Sequence, residues 1–133
     1  MRVAELMQTN VRTIAADATI ADAVQTMADA HVSGLPVVSN TGRVVGVVAT
    51  TNVLQAQAET TDRRARTELF EHTPVRDLMS SNPLTVAPDD DVREAARQML
   101  YTEVHRLFVV DQDRLDGVIS QTDIAHAVGT GRL

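Results

Sequence analysis

Two stretches of the chain repeat one alternation of apolar and polar positions. Ile20, Ala23, Val24 and Met27 recur at i, i+3, i+4 and i+7, and Val92, Ala95, Ala96 and Met99 do the same. That spacing predicts two helices, each with one apolar stripe. Asp17 or Thr19 before the first, and Asp89 or Asp90 before the second, are suited to cap the opening turn. A short apolar piece precedes each helix, Thr13-Ile14 and Leu84-Thr85-Val86. Two strand patterns follow each: "LPVV" then "RVVGVVA", and "LFVV" then "LDGVIS", separated by Asn/Gly or Asp/Gln/Asp turns. A further helix is predicted from about Thr51 and from about Gln121. The order is β-α-β-β-α, twice.

The two passages are copies of one another. "VAELM" at 3–7 returns as "VRDLM" at 75–79, an offset of 72 (79 − 7). Asn10, Thr13, Asp17, Ala23, Met27, Val32, Leu35, Val37 and Val38 return at the same offset as Asn82, Thr85, Asp89, Ala95, Met99, Val104, Leu107, Val109 and Val110. Beyond the next turn the offset is 71 (117 − 46), pairing Gly46 with Gly117, Val47 with Val118, Thr51 with Thr122 and Asn52 with Asp123. One residue has been lost from a loop, where length changes cost little. Repeats are expected at 3–60 and 75–129, joined by a segment at 61–74 that extends the first copy's last helix until Pro74 stops it. A copy of roughly 60 residues buries too little surface to be stable alone, so the two are expected to pack together.

Composition narrows the chemistry. Of 133 residues 44% are hydrophobic but only 2% aromatic, so the core must come from Val, Leu, Ile, Ala and Met. There is no cysteine, which excludes disulfides, zinc–thiolate sites and thiol catalysis. The net charge of −6 gives an acidic surface that repels a polyanion and disfavours nucleic acid as a partner; that all 12 basic residues are Arg carries no function by itself. The N-terminus lacks the apolar core of a signal peptide and "VVGVVA" is too short to span a bilayer, so a cytoplasmic protein without a membrane partner is expected. His31, His72 and His126 show no metal-binding spacing. There is no P-loop and no nucleophile–base arrangement; Asp123 with His126 at i, i+3 does not amount to one. No enzyme, no metal and no required cofactor are expected.

The stretch "GVISQTDI" at 117–124 carries the most specific chemistry, with a weaker copy, "GVVATTNV", at 46–53. Ser120 and Asp123 sit where a strand hands over to a helix, and two roles suit them there. They can cap the helix. Alternatively, the carboxylate can accept from a ribose diol while the hydroxyl and the helix N–H groups meet a phosphate, with Gly117 allowing close backbone approach.

Two β-α-β-β-α copies, each with "LPVV" or "LFVV" and a closing G-h-h-[ST]-x-x-[DN], resemble a tandem pair of CBS domains, the Bateman module. "EVHRLFVVDQDRLDGVISQTDI" is similar to the repeats of the adenylate-sensing gamma subunit of AMP-activated kinase. The resemblance implies an α/β (α+β) fold with the motifs packed sheet to sheet about a pseudo-twofold axis. It implies an adenosine compound (AMP, ADP, ATP or S-adenosylmethionine) held in clefts between the copies to regulate another protein. One copy's closing motif would work with the first strand of the other. The stronger cleft would combine Val118, Ser120, Thr122 and Asp123 with Asn10, Arg12 and Val32, the valines sandwiching the base. His105 and Arg106 would face phosphate; the first copy has Ser33 and Gly34 there. The weaker cleft would combine Val47, Ala49, Thr51 and Asn52 with Asn82, Leu84 and Val104, without the hydroxyl or the carboxylate. A surface ion pair for Arg106 and a solvated His105 are the alternative.

With no effector domain attached, the regulated protein is expected to be separate. A ligand-free scaffold pair is the competing function. A homodimer is expected, because Ile20, Val24 and Met27 with Ala28 and Val32 make a wide apolar face.

Overall fold

A computed structural model describes residues 1–133 as two packed units, Arg12–Pro83 and a second built from Met1–Val11 with Leu84–Leu133. In the first, β1 (Ile14–Ala15), α1 (Ile20–Ala30), β2 (Gly34–Val38), β3 (Val44–Ala49) and α2 (Thr50–Ala58) realise the expected order. They are followed by α3 (Arg63–His72) and β4 (Ser80–Ser81). The sheet runs β1-β2-β3-β4, with β1 parallel to β2 and the other pairs antiparallel. In the second unit β5 (Thr85–Val86), α4 (Val92–Thr102), β6 (Arg106–Asp111), β7 (Arg114–Ser120) and α5 (Gln121–Gly129) repeat the pattern on a three-stranded sheet, β5-β6-β7.

Each core is an aliphatic layer between the apolar stripe of a helix and a sheet face. Ile20, Ala23 and Met27 of α1 meet Leu35, Val37 and Val48. Val92, Ala95 and Met99 of α4 meet Leu107, Val109 and Ile119. Leu35 and Leu107 are fully enclosed, each contributing about 1.5–3 kcal/mol relative to exposure. The stripes are narrower than the spacing predicts: Val24 is exposed and Ala96 half-buried. Both helices end on a left-handed residue, His31 (φ 54°) and Glu103 (φ 59°), which turns the chain back toward the sheet.

The helix starts follow the repeat more closely than the choice of acidic residues suggests. Thr19 caps α1, its hydroxyl accepting from Asp22 N–H at 3.1 Å while Asp22 accepts from Thr19 N–H. In α4 the cap is neither Asp89 nor Asp90 but Asp91, the counterpart of Thr19 at the offset of 72 (91 − 19), which accepts from Arg93 N–H at 2.8 Å. That bond lowers the Asp91 pKa below the usual carboxylate range. Asp90 is occupied instead by Ala87 N–H. The expected continuous helix after Thr51 is also corrected: α2 closes at Ala58 and Asp62 caps a separate α3 through Ala65 N–H. A favourable cap offers that backbone an alternative to continuing the helix.

The lost residue tightens one hairpin. Residues 39–43 join β2 to β3, whereas Gln112 (φ 52°) and Asp113 (φ 66°) alone join β6 to β7. Two left-handed residues in succession match the strand twist of a tight hairpin.

The turn opening each repeat packs away from the β-α-β-β-α frame that follows it in sequence. Val3, completely buried, belongs to the core of α4, β6 and β7, and Val3 and Ala4 N–H donate to Asp90 and Pro88 carbonyls. Val75, equally buried, belongs to the core of α1, β2 and β3, with Val75 and Arg76 N–H donating to Ala18 and Ala16 carbonyls. Repeats along the chain and packed units are therefore different partitions.

Candidate functional site

In both repeats a strand runs into a helix with no intervening loop. β7 ends on Ser120 in an extended conformation (φ −118°, ψ 163°), and α5 begins at the next residue. Ser120 Oγ accepts from Asp123 N–H at 3.1 Å, and Asp123 Oδ2 accepts from Ser120 N–H at 2.9 Å. The capping role expected for this pair is realised. The remaining oxygen, Oδ1, accepts from Gln8 Nε2 at 2.8 Å. Both residues are half-buried, and a carboxylate in the first turn is favoured by the helix dipole.

Gln8 was not among the expected site residues. Its backbone pairs with Val118 through N–H to carbonyl contacts of 2.8 and 3.0 Å, which brings its side chain to Asp123. The only trace in the sequence is the repeat itself: Gln8 aligns with Ser80, and Val118 with Val47, the pair that joins β4 to β3. This crossing also explains Gly117. A Cβ there would lie 2.5 Å from the Gln8 carbonyl oxygen, so the space expected for a ligand is taken by the chain. Gly46 makes the same room for Met79 and Ser80.

Arg106 lies opposite Ser120 in the β6–β7 register, exposed and without a carboxylate partner. The expected alternative of a surface ion pair is not formed. His105 is exposed, its Nδ1 3.3 Å from Gln121 Oε1; an amide oxygen can only accept, so Nδ1 donates. Thr122 is exposed on the first turn of α5. Asn10, two residues beyond Gln8, is exposed and left-handed (φ 61°).

The weaker set keeps the backbone and loses the chemistry. Ala49 (φ −127°, ψ 162°) offers no side-chain acceptor, and Asn52 Oδ1 accepts from Ala49 N–H at 2.8 Å. Val47 is half-buried, Thr51 exposed, and Asn82 left-handed (φ 57°) like its counterpart Asn10.

The structure thus brings His105, Arg106, Val118, Ser120, Thr122, Asp123 and Asn10 into one unit, and Val47, Ala49, Thr51, Asn52 and Asn82 into the other. Arg12 and Val32 fall in the Arg12–Pro83 unit, Arg12 exposed and Val32 packed on its core. Leu84 and Val104 fall in the second, Leu84 exposed and Val104 packed on that core.

The "CBS domain" family matches residues 3–59 and 75–130. The chain belongs to the CBS domain family. The tandem pair is 33% identical over 112 residues, 84% of its length, to the 5'-AMP-activated protein kinase subunit gamma-3 of Sus scrofa, of which that is 22%. It is 28% identical over 98% of its length to homoserine O-acetyltransferase of Methanosalsum zhilinae, of which that is 24%. The chain therefore spans a quarter or less of these curated relatives, and the likeness to the acetyltransferase is to one part of that enzyme. A crystal structure of CBSX2, a chloroplastic protein of Arabidopsis thaliana, in complex with AMP superposes with a TM-score of 0.83. The match covers 99% of this chain and 98% of that one at 26% identity. No helix of this CBS pair is long and apolar enough to cross a membrane.

Proposed function

We propose that this CBS pair is a regulatory module that binds an adenine nucleotide of the AMP, ADP or ATP type and passes its state to a separate protein. The observation that carries the reading is the exposed, unpaired Arg106 guanidinium opposite Ser120, on the strand pair that leads to the half-buried Asp123 carboxylate. A guanidinium fork suits phosphate, and a carboxylate at a helix start suits a ribose diol. The relative crystallised with AMP supports the same ligand class. Val118 would pack on the base, with Thr122, Asn10 and His105 adding polar contacts.

A second reading, a ligand-free scaffold, is favoured by one fact: Ser120 and Asp123 already satisfy each other. Calorimetry with AMP and adenosine separates the two. Arg106→Ala is expected to weaken AMP at least tenfold, about 1.5–3 kcal/mol for a charged contact, and to leave adenosine unchanged. Asp123→Ala is expected to weaken both. No binding of either ligand by the unaltered protein would establish the scaffold. A homodimer accompanies the regulatory reading, supported by exposed Val24 and Leu54 beside an open apolar groove of about 610 Å3 along α1 and α2. A strictly monomeric mass in light scattering at micromolar concentration would remove that part.

A further inference from the structure

We infer that Gln8 sets how strongly Asp123 reads a ribose, by acting as an internal competitor for the one carboxylate oxygen that a ligand can use. The inference rests on the adenosine-binding reading above. Asp123 Oδ2 is committed to Ser120 N–H, a bond that belongs to the helix cap. A ligand can therefore recruit Oδ1 without opening α5, and Gln8 Nε2 already sits on Oδ1 at 2.8 Å. The orientation of that amide is unambiguous, because a carboxylate oxygen can only accept and only the NH2 end can donate.

Gln8 is held there by its main chain. Two backbone hydrogen bonds to Val118 anchor it, and neither involves the side chain. The side chain is exposed, so it can swing into water when a better donor arrives. A carboxylate oxygen has two lone pairs, so two adjacent ribose hydroxyls can both donate to Oδ1 only when the amide gives up the one it occupies. Binding is then an exchange of one hydrogen bond for others, which moderates affinity for any ligand that carries the diol. A ligand without it has nothing to displace. The other repeat has no such device: Ser80 stands in place of Gln8, and Asn52 has one oxygen, already taken by Ala49 N–H.

The test measures adenosine and 2',3'-dideoxyadenosine on the unaltered protein, on Gln8→Ala, and on Gln8→Ser, which copies Ser80. Because the anchoring is through the main chain, both variants should fold, and circular dichroism checks this. Adenosine affinity is expected to rise about threefold to tenfold in both variants, the typical net worth of one intramolecular hydrogen bond, with dideoxyadenosine unchanged within about twofold. A merely structural role for Gln8 would shift the two nucleosides together. The inference is overturned if adenosine affinity stays the same or falls in both variants, or if both nucleosides move equally. Failure of the adenosine reading looks different: none of the three proteins binds either nucleoside, and the inference falls with it.

Discussion

At the start of α2 and of α5 the chain follows nearly the same backbone path with different side chains on it. Ala49 and Ser120 share an extended conformation, and Asn52 and Asp123 each accept from the N–H three residues before. Only at α5 is there a hydroxyl to return the bond, a charge, and a neighbouring Gln8. The sheet frame and the glycine crossing are therefore sufficient for the strand-to-helix junction, and the side chains there are free to carry chemistry. One repeat has kept that chemistry while the other has kept only the shape.

Removing residues 1–11 should break the comparison most severely. The deletion takes Val3 out of the core formed by α4, β6 and β7 and leaves the core of α1, β2 and β3 complete. Hydrogen exchange is expected to lose protection across 92–127 while 20–53 keeps most of it; equal loss in both would contradict the packed units. Gly117→Ala and Gly46→Ala come next. Each forces a Cβ against a carbonyl oxygen, at 2.5 Å from Gln8 and 2.7 Å from Ser80. Both should cost about 1–3 kcal/mol in urea denaturation, the range for overpacking. A tolerated alanine at either position would mean that the crossing strand can retreat.

Binding sharpens the contrast further. Asp123→Ala should weaken an adenosine ligand by about 1.5–3 kcal/mol, and Asn52→Ala by no more than about 0.5–1.5, because the second contact is neutral. Equal losses by calorimetry would remove the functional asymmetry between the repeats. The smallest effect should come from exchanging the caps. Ala49→Ser should stabilise the first unit by about 1 kcal/mol and Ser120→Ala destabilise the second by a similar amount. Thermal melts of the two single variants, moving in opposite directions, are the expected result.

The sequence by itself determined the repeated β-α-β-β-α order, the apolar stripes ending in Met27 and Met99, and the two strand-to-helix junctions. These follow from periodicity and turn chemistry acting over a few residues, and duplication reports each of them twice. The cap of α4, expected at Asp89 or Asp90, lies at Asp91; the offset from Thr19 carries that signal, because a cap is set by its place in the helix start rather than by its charge. Tertiary structure alone decided three things. Val3 and Val75 pack on frames that lie far along the chain, since apolar burial depends on complementary surface and not on sequence proximity. Gly117 makes room for Gln8, which only the crossing geometry shows. And Asp123 already has a partner on each oxygen, one from its own helix start and one from residue 8, because a hydrogen bond between residues 115 apart exists only once the chain has brought them together.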